Sequence, residues 1–353
     1  MTFCTLFNSG YLDKGLALIY SLEENASSYK LYVLAMDDRC YEVLRDLAPH
    51  NVILISLKEF ENEELLRIKP SRKLGEYYWT CSSWLISYIL DKYNPEYCTY
   101  IDADLYIFSE PSVIIEEMER RNASVQIVGH RFMDLINENA CQNVGRYCVE
   151  FNTFKNDSNG RMLLNIWKNQ VLEACTVDAS RGLYGDQKYL DNWGEDYPFV
   201  IDTDNVGAGV GPWNICQYRW KKKESSNKFI VSRWGKKAPL LFVHFEDIKY
   251  IDDNSADISL VYSWKTNKEF INSLYIPYLQ KVREIKQMLK SKYNIYNLIK
   301  AHPGYNTINK HDNFIKRLYK MIFIDHRLVH SVLTNILVSI PNKIYKDYSI
   351  IHF

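Results

Sequence analysis

The chain has no apolar run long enough to cross a bilayer, and no basic segment ahead of an apolar stretch at its start. Neither a membrane span nor a signal peptide is expected, and the expected location is the cytoplasm. Its eight cysteines, Cys4, Cys40, Cys81, Cys98, Cys141, Cys148, Cys175 and Cys216, form no C-x-x-C pair. Several fall inside apolar runs, so they read as buried thiols of a reducing compartment and not as a disulfide framework. No internal repeat, low-complexity segment or nucleic-acid-binding signature is present, so nucleic acid is not an expected partner. Net charge is also missing, with 43 Lys/Arg against 43 Asp/Glu.

That balance hides a split. Residues from Trp264 to Phe353 hold fifteen of the Lys/Arg but only five of the Asp/Glu. A basic segment of this kind fits contact with an anionic partner such as a membrane surface. At 353 residues and 47% apolar content the chain can bury one large core, with or without an appendage.

The first hundred residues alternate strand and helix patterns. Thr2–Phe7, Lys30–Met36, Asn51–Leu57 and Cys98–Asp102 read as strands, and Leu12–Glu24 and Glu76–Tyr93 as helices. Asp37 or Asp38 is placed to cap a third helix carrying Val43, Leu44 and Leu47. This alternation predicts an α/β fold with a mostly parallel, Rossmann-like sheet, whose ligands bind beyond the carboxyl ends of the strands. Further on, Ser124–Val128, Tyr147–Phe154 and Leu240–Phe245 read as strands. Arg161–Cys175 and Tyr184–Trp193 read as helices, with a glycine-rich loop at Gly207, Gly209, Gly211 and Pro212. After about residue 260 the pattern turns helical. Tyr278, Val282, Ile285 and Leu289 share a face, and Met321–Tyr345 repeats the apolar and basic mix.

Residues 97–108 read Tyr-Cys-Thr-Tyr-Ile-Asp-Ala-Asp-Leu-Tyr-Ile-Phe. In an extended segment residues i and i+2 point the same way, so Asp102 and Asp104 should project together at the end of a buried strand. Like charges so placed repel unless a cation lies between them, and a hard divalent metal is the simplest occupant. His244, in the apolar run Leu240–Phe245, offers an imidazole; two carboxylates with one imidazole favour Mn²⁺ over Ca²⁺ and leave Mg²⁺ open. A second triplet, Asp202-Thr203-Asp204, is the competing candidate, because D-x-D triplets arise by chance. Asp186-Gln187 places an acid beside an amide at a helix start, and Asn143-Val144-Gly145 is a glycine-permissive turn.

Taken in order, these residues resemble the family-8-like glycosyltransferases of the GT-A fold that bacteria use on surface polysaccharide. Thr5, Asn8 and Tyr11 match the nucleotide-binding segment of that family, and Ser21-Leu22 ends its first helix. Asp102-Ala103-Asp104 matches the metal motif, Asn143 to Gly145 the Asn-x-Gly segment, and Asp186-Gln187 the Asp-Gln pair. His244 and Lys249 match the late His-x-Gly-x-x-Lys motif, although Glu246 replaces its glycine and Asn8 stands where Asp is frequent. The resemblance implies a catalytic domain over residues 1–260, and the charge and periodicity beyond it give a basic helical C-terminal region over 261–353. It implies transfer of a hexosyl or N-acetylhexosaminyl group from a nucleotide sugar, most simply a UDP-sugar, to a hydroxyl of a saccharide or lipid-linked saccharide, with retention. Asp102, Asp104 and His244 would hold Mn²⁺ or Mg²⁺. Thr5, Asn8, Tyr11, Lys73, Asp102, Asn143 and Lys249 would bind the donor, and Asp186 and Gln187 would act at the anomeric carbon. The basic C-terminal region would hold the enzyme on the cytoplasmic face of a membrane. Two alternatives remain: a phosphatase with an aspartyl nucleophile using Asp202 and Asp204 (Asp202-Thr203-Asp204-Asn205-Val206 matches its D-x-D-x-[TV] opening), and a non-catalytic nucleotide-sugar-binding protein.

Overall fold

The computed structural model describes residues 1–133, 140–222, 228–260, 267–295 and 350–353. The expected strand and helix alternation forms a seven-stranded sheet. Its strands are β1 (Thr2–Phe7), β2 (Lys30–Ala35), β3 (Val52–Ser56), β4 (Tyr97–Ile101), β6 (Val125–Gly129), β7 (Tyr147–Lys155) and β10 (Val200–Asp202). Their spatial order is β10-β6-β7-β4-β1-β2-β3. All neighbours pair in parallel except those of β7, which runs antiparallel to both β4 and β6.

Burial of both faces explains why these strands read as apolar runs rather than as alternating ones. Phe3 and Phe7 of β1 and Leu31 and Val33 of β2 point into one core. That core is shared with α1 (Leu12–Asn25), α2 (Asp38–Leu47) and the long helix α9 (Lys268–Tyr293). Cys4, Leu6, Tyr32 and Leu34 point the other way. They meet Phe60 of α3 (Leu57–Phe60), Leu65 of α4 (Glu63–Ile68), α5 (Leu74–Tyr93) and α7 (Ser158–Glu173). Helix starts follow their caps. Asp37 accepts from the Cys40 amide at 2.7 Å and Asp157 from the Gly160 amide at 2.8 Å. Two further helices are α6 (Val113–Arg120) and α8 (Trp193–Asp196).

Smaller strand groups flank the main sheet. β5 (Leu105–Ile107) pairs with β14 (Phe242–His244), and β8 (Val177–Asp178) with β9 (Leu183–Tyr184). β11 (Arg219–Lys222), β12 (Phe229–Arg233) and β13 (Lys236–Pro239) form an antiparallel sheet. So do β15 (Lys249–Asp252), β16 (Ser255–Asp257) and β17 (Ile350–His352). Tyr278, Val282, Ile285 and Leu289 are buried on one face of α9, as their spacing predicts, and Phe245 stacks on Tyr278 with centroids 3.8 Å apart.

Two local expectations differ from the structure. Tyr184–Trp193 is not one helix: Tyr184 ends β9, a 3-10 turn covers Gln187–Leu190, and α8 begins at Trp193. Gly185 lies between these pieces at φ +56°, a left-handed conformation that ends the regular pattern. Asp102 and Asp104 do not continue a strand either. β4 stops at Ile101, and the Leu105 amide donates to the Asp102 carbonyl at 3.2 Å, so the pair stands on a tight turn between β4 and β5. The Met321–Tyr345 pattern lies outside the described residues. Among the described residues no helix is long and apolar enough to cross a membrane.

Candidate active site

The parallel strands β1 and β4 end at the same edge of the sheet, and a cleft of about 590 Å³ opens there. Such edges are where ligands of open α/β sheets bind. Asn8 and Tyr11 line the cleft just past β1, and Asp102, Ala103 and Asp104 line it just past β4. Tyr78 and Trp79 of α5 supply one wall, and Tyr184 to Gln187 another.

Strand pairing brings His244 to the acidic turn. In the β5–β14 register His244 faces Leu105, the residue after Asp104, and the Phe245 amide donates to the Asp104 carbonyl at 2.9 Å. His244 Nε2 then lies 3.0 Å from Asp104 Oδ1 and 3.8 Å from Asp102 Oδ2. One ligand atom from each of Asp102, Asp104 and His244 falls within 4.8 Å of the other two. The set is hard carboxylate oxygen with imidazole nitrogen, which suits Mn²⁺ or Mg²⁺.

Glu150 supports this group from behind. The β4–β7 register pairs Ile101 with Phe151, so the next position sets Glu150 against Asp102, whose amide donates to the Glu150 carbonyl at 3.0 Å. The fully buried Glu150 side chain accepts from His244 Nδ1 at 2.8 Å. A carboxylate there fixes the ring and turns Nε2 toward the aspartates, as the outer partners of metal-bound histidines do. Trp213 packs edge-on against the imidazole, with centroids 5.5 Å apart. Lys14, buried in α1, sets its Nζ 3.8 Å from Asp104 Oδ2 and 4.3 Å above the Tyr11 ring.

The charges of this cluster are uneven. Burial pushes the Asp102 carboxyl up, and its attraction to His244 only partly reverses that. Burial acts on Asp104 in the same sense, but His244 and Lys14 outweigh it and hold the carboxyl below the usual range. Burial disfavours the His244 imidazolium, yet Asp104 and Glu150 raise its pKa well above the ordinary value. The triad therefore holds a proton on His244 that a bound divalent cation would displace. Asp186, on the facing wall, is raised to about 7, mainly by burial, while the Ser82 hydroxyl donating to Oδ2 at 2.7 Å pulls it down.

The remaining expected residues are placed as follows. Gln187 lines the cleft and its Nε2 donates to the Val144 carbonyl at 2.6 Å. Asn143 is exposed on the neighbouring segment, and Thr5 is fully buried inside β1. Lys73 is the N-cap of α5, directly before Leu74 and Gly75, which line the cleft, and its amide donates to Glu76. Lys249, the first residue of β15, sets its Nζ 2.7 Å from Asp247 Oδ2 in the turn before it. Thr5, Lys73, Asn143 and Lys249 are not among the lining residues, whereas Glu246 is. The second triplet stands elsewhere. Asp202 Oδ1 accepts from the Gly129 amide at 3.1 Å, and Asp204 pairs with Lys236 and Arg121.

Glu150 and Lys14 are the two charged site residues that sequence reasoning missed. Each left one signal: a single charged residue inside an otherwise apolar or neutral run, Tyr147–Phe154 and Leu12–Ile19 respectively, apart from Asp13 beside Lys14.

No protein-family model matches the chain. It is 30% identical to the uncharacterized protein YfnF of Bacillus subtilis (strain 168) over 302 residues, which covers 83% of this chain and 96% of YfnF. It is 28% identical to the uncharacterized protein YfnD of the same organism over 284 residues, covering 78% of this chain and 87% of YfnD. Among solved structures it is similar to an active-site mutant of LgtC, with TM-score 0.47 and 13% identity over 70% of this chain and 88% of that one. It is also similar to mouse xyloside xylosyltransferase 1 in its apo form, with TM-score 0.43 and 13% identity over 60% of this chain and 87% of that one.

Proposed function

The chain belongs to the family of the Bacillus subtilis protein YfnF, and we propose that this member is a metal-dependent glycosyltransferase of GT-A type. It would move a sugar from a nucleotide donor, UDP-linked in the simplest case, to a hydroxyl of a saccharide or lipid-linked saccharide, with retention. The observation that carries this reading is the convergence of Asp102, Asp104 and His244 at a cleft beyond the ends of β1 and β4, with Glu150 fixing the imidazole. It is joined by the collinear motif resemblance over roughly the first 250 residues.

Each residue has a task in this reading. Asp102, Asp104 and His244 hold Mn²⁺ or Mg²⁺, which when bound neutralises charge on the departing diphosphate as a Lewis acid. Tyr11 offers a ring for the base to stack on, and Lys14 behind it keeps a positive charge beside Asp104. Asn8 Oδ1 is occupied by the Gly10 amide and its side-chain amide also hydrogen-bonds Tyr78, so one N–H of the amide is left to meet the base. The transition state at the anomeric carbon resembles an oxocarbenium ion, and a preorganised carboxylate or amide oxygen stabilises it. Asp186 and Gln187 line the cleft for that role, and Ser82 holds the Asp186 carboxylate in place. Thr5, Lys73, Asn143 and Lys249 are proposed to bind the donor by resemblance alone. The basic region over 261–353 is proposed to contact an anionic membrane surface.

A thermal-shift screen of nucleotide sugars, each with and without Mn²⁺, tests the reading, because a ligand that binds only the folded state raises the melting temperature by mass action. The expected result is stabilisation by one donor that depends on Mn²⁺ and disappears in Asp104→Asn. Metal-independent binding, or no response to any nucleotide sugar, defeats it. Turnover of the identified donor with saccharide acceptors then separates an enzyme from a binding protein.

A further inference from the structure

Cys148 and Glu150 stand at i and i+2 of β7, the spacing that puts two side chains on one side of a strand. β14 brings His244 against both. One ligand atom from each of Cys148, Glu150 and His244 falls within 4.8 Å of the other two. His244 Nδ1 faces Glu150 Oε2 at 2.8 Å, while Nε2 faces Asp104. One imidazole thus stands between two ligand sets. On the Nε2 side its companions are hard carboxylate oxygens. On the Nδ1 side they include a sulfur, which shifts the preference toward a softer cation, Zn²⁺ above all.

Glu150 is fully buried, and Cys148 and His244 nearly so. Glu150 Oε1 has no hydrogen-bond partner among the described residues. A buried carboxylate oxygen left in that state costs about 1–3 kcal/mol or more, and a cation is a partner that recovers it. Cys148 lines the cleft, so an ion can reach the cluster. Phe132 and Trp213 pack against the thiol, and Trp213 also packs on the His244 ring. Such an apolar shell strengthens bonds to a metal ion. Burial, and then Glu150, push the Cys148 thiol up, so without a cation it stays protonated and acts as a small apolar side chain. A coordinating cation deprotonates such a thiol outright. Tetrahedral Zn²⁺ has bonds of about 2.3 Å to sulfur and about 2.0 Å to nitrogen and oxygen, which sets its ligand atoms roughly 3.3–3.6 Å apart. The cluster meets this spacing by side-chain shifts of about 1 Å.

We propose that Cys148 Sγ, the Glu150 carboxylate and His244 Nδ1 bind Zn²⁺, with water from the cleft in the fourth position. Zn²⁺ takes the place of the thiol proton and the Nδ1 proton, and both are released to solvent. A neutral imidazole offers one lone pair, on the nitrogen that carries no hydrogen. Occupation of the two sides is therefore exclusive. With Zn²⁺ on Nδ1 the remaining proton sits on Nε2, and Asp102 and Asp104 lose their imidazole partner for Mn²⁺. This exclusion rests on the metal triad of the proposed transfer site, whereas Zn²⁺ binding does not.

The test is titration of the full chain, kept reduced by a phosphine, with Co²⁺, which occupies zinc sites and shows a near-ultraviolet charge-transfer band when a thiolate binds it. The expected result is a band on stoichiometric Co²⁺ that Zn²⁺ abolishes and that Cys148→Ser lacks. Cys148→Ser should bind Zn²⁺ about a hundredfold more weakly. In a second arm, electron paramagnetic resonance of released Mn²⁺ should show Zn²⁺ displacing Mn²⁺ from the wild type at about a hundredfold lower concentration than from Cys148→Ser. Melting temperatures verify folding, and Cys148→Ala repeats both arms should the serine unfold the chain. The proposal is overturned if the wild type gives no charge-transfer band, if the band survives in the Cys148 variants, or if Zn²⁺ and Mn²⁺ occupy the wild type together. A Cys148-dependent band in a protein that binds no Mn²⁺ would uphold the zinc site and defeat the metal triad instead.

Discussion

Glu150→Gln isolates the contribution of the buried carboxylate behind the triad. The change keeps the shape of the side chain and removes its charge. In the native protein Glu150 Oε2 accepts from His244 Nδ1 at 2.8 Å, with Glu150 fully buried and His244 nearly so. A hydrogen bond to a charged group contributes about 1.5–3 kcal/mol, against about 0.5–1.5 for a neutral pair. Replacing one by the other therefore costs about 1–1.5 kcal/mol in orientation and basicity of the imidazole. That corresponds to roughly tenfold in Mn²⁺ affinity, the low end of the 10–100-fold range typical of such outer partners. A glutamine that turned its NH₂ toward Nδ1 would drive the proton to Nε2, the ligand nitrogen, and weaken binding further. Isothermal titration with Mn²⁺, supported by the electron paramagnetic resonance of the free ion, measures the effect. Glu150→Ala should in addition destabilise the fold by about 1–3 kcal/mol, since His244 Nδ1 loses its buried acceptor while Asp104 stays against Nε2. If Glu150→Gln binds Mn²⁺ within about twofold of the wild type while Asp104→Asn does not bind it, the orienting role is wrong.

Three further outcomes are expected. Asp102→Ala should abolish Mn²⁺-dependent stabilisation by UDP, whereas Asp202→Ala should retain it and lose only about 1 kcal/mol of stability with the Gly129 amide bond; the reverse pattern in the thermal-shift assay would move the site to the second triplet. Asp186, raised to about 7, binds a proton more tightly folded than unfolded, so its stabilisation is full at acid pH and is lost as pH rises through about 7. Between about pH 4 and about pH 8 the urea-unfolding stability of the wild type relative to Asp186→Asn should fall by about 4 kcal/mol, and a flat difference would refute the raised value. Gly207→Ala should destabilise by about 1–3 kcal/mol in the same assay, because its Cβ would lie 1.9 Å from the Pro239 carbonyl oxygen, in the loop whose Val210 carbonyl accepts from the His244 amide; native-like stability would show that the loop yields.

Much of the fold was legible where periodicity is local. β1 and α1 lie within a residue of where their patterns put them, because Phe3, Phe7 and the Leu12, Leu16, Ile19 face report burial directly. Legibility failed where one backbone dihedral decided the outcome. Gly185 breaks the segment expected as Tyr184–Trp193, and the turn after Ile101 replaces an extended arrangement of Asp102 and Asp104. Lys14 escaped notice for another reason. A cation in a helix normally reads as a solvated position, and only the packing of α1 under Tyr11 and Asp104 shows it to be buried.

By itself the sequence determined the element types of the first hundred residues, the apolar character of both sheet faces, and the presence of two carboxylates and an imidazole suited to a hard cation. These follow from residue type and from spacing over a few positions. Tertiary structure decided which D-x-D triplet meets an imidazole, and that Glu150 supports it. Those facts depend on β5 pairing with β14 and on the β4–β7 register, which join residues 140 and 94 positions apart. Contacts at that separation are chosen by the packing of whole layers, which no local pattern encodes.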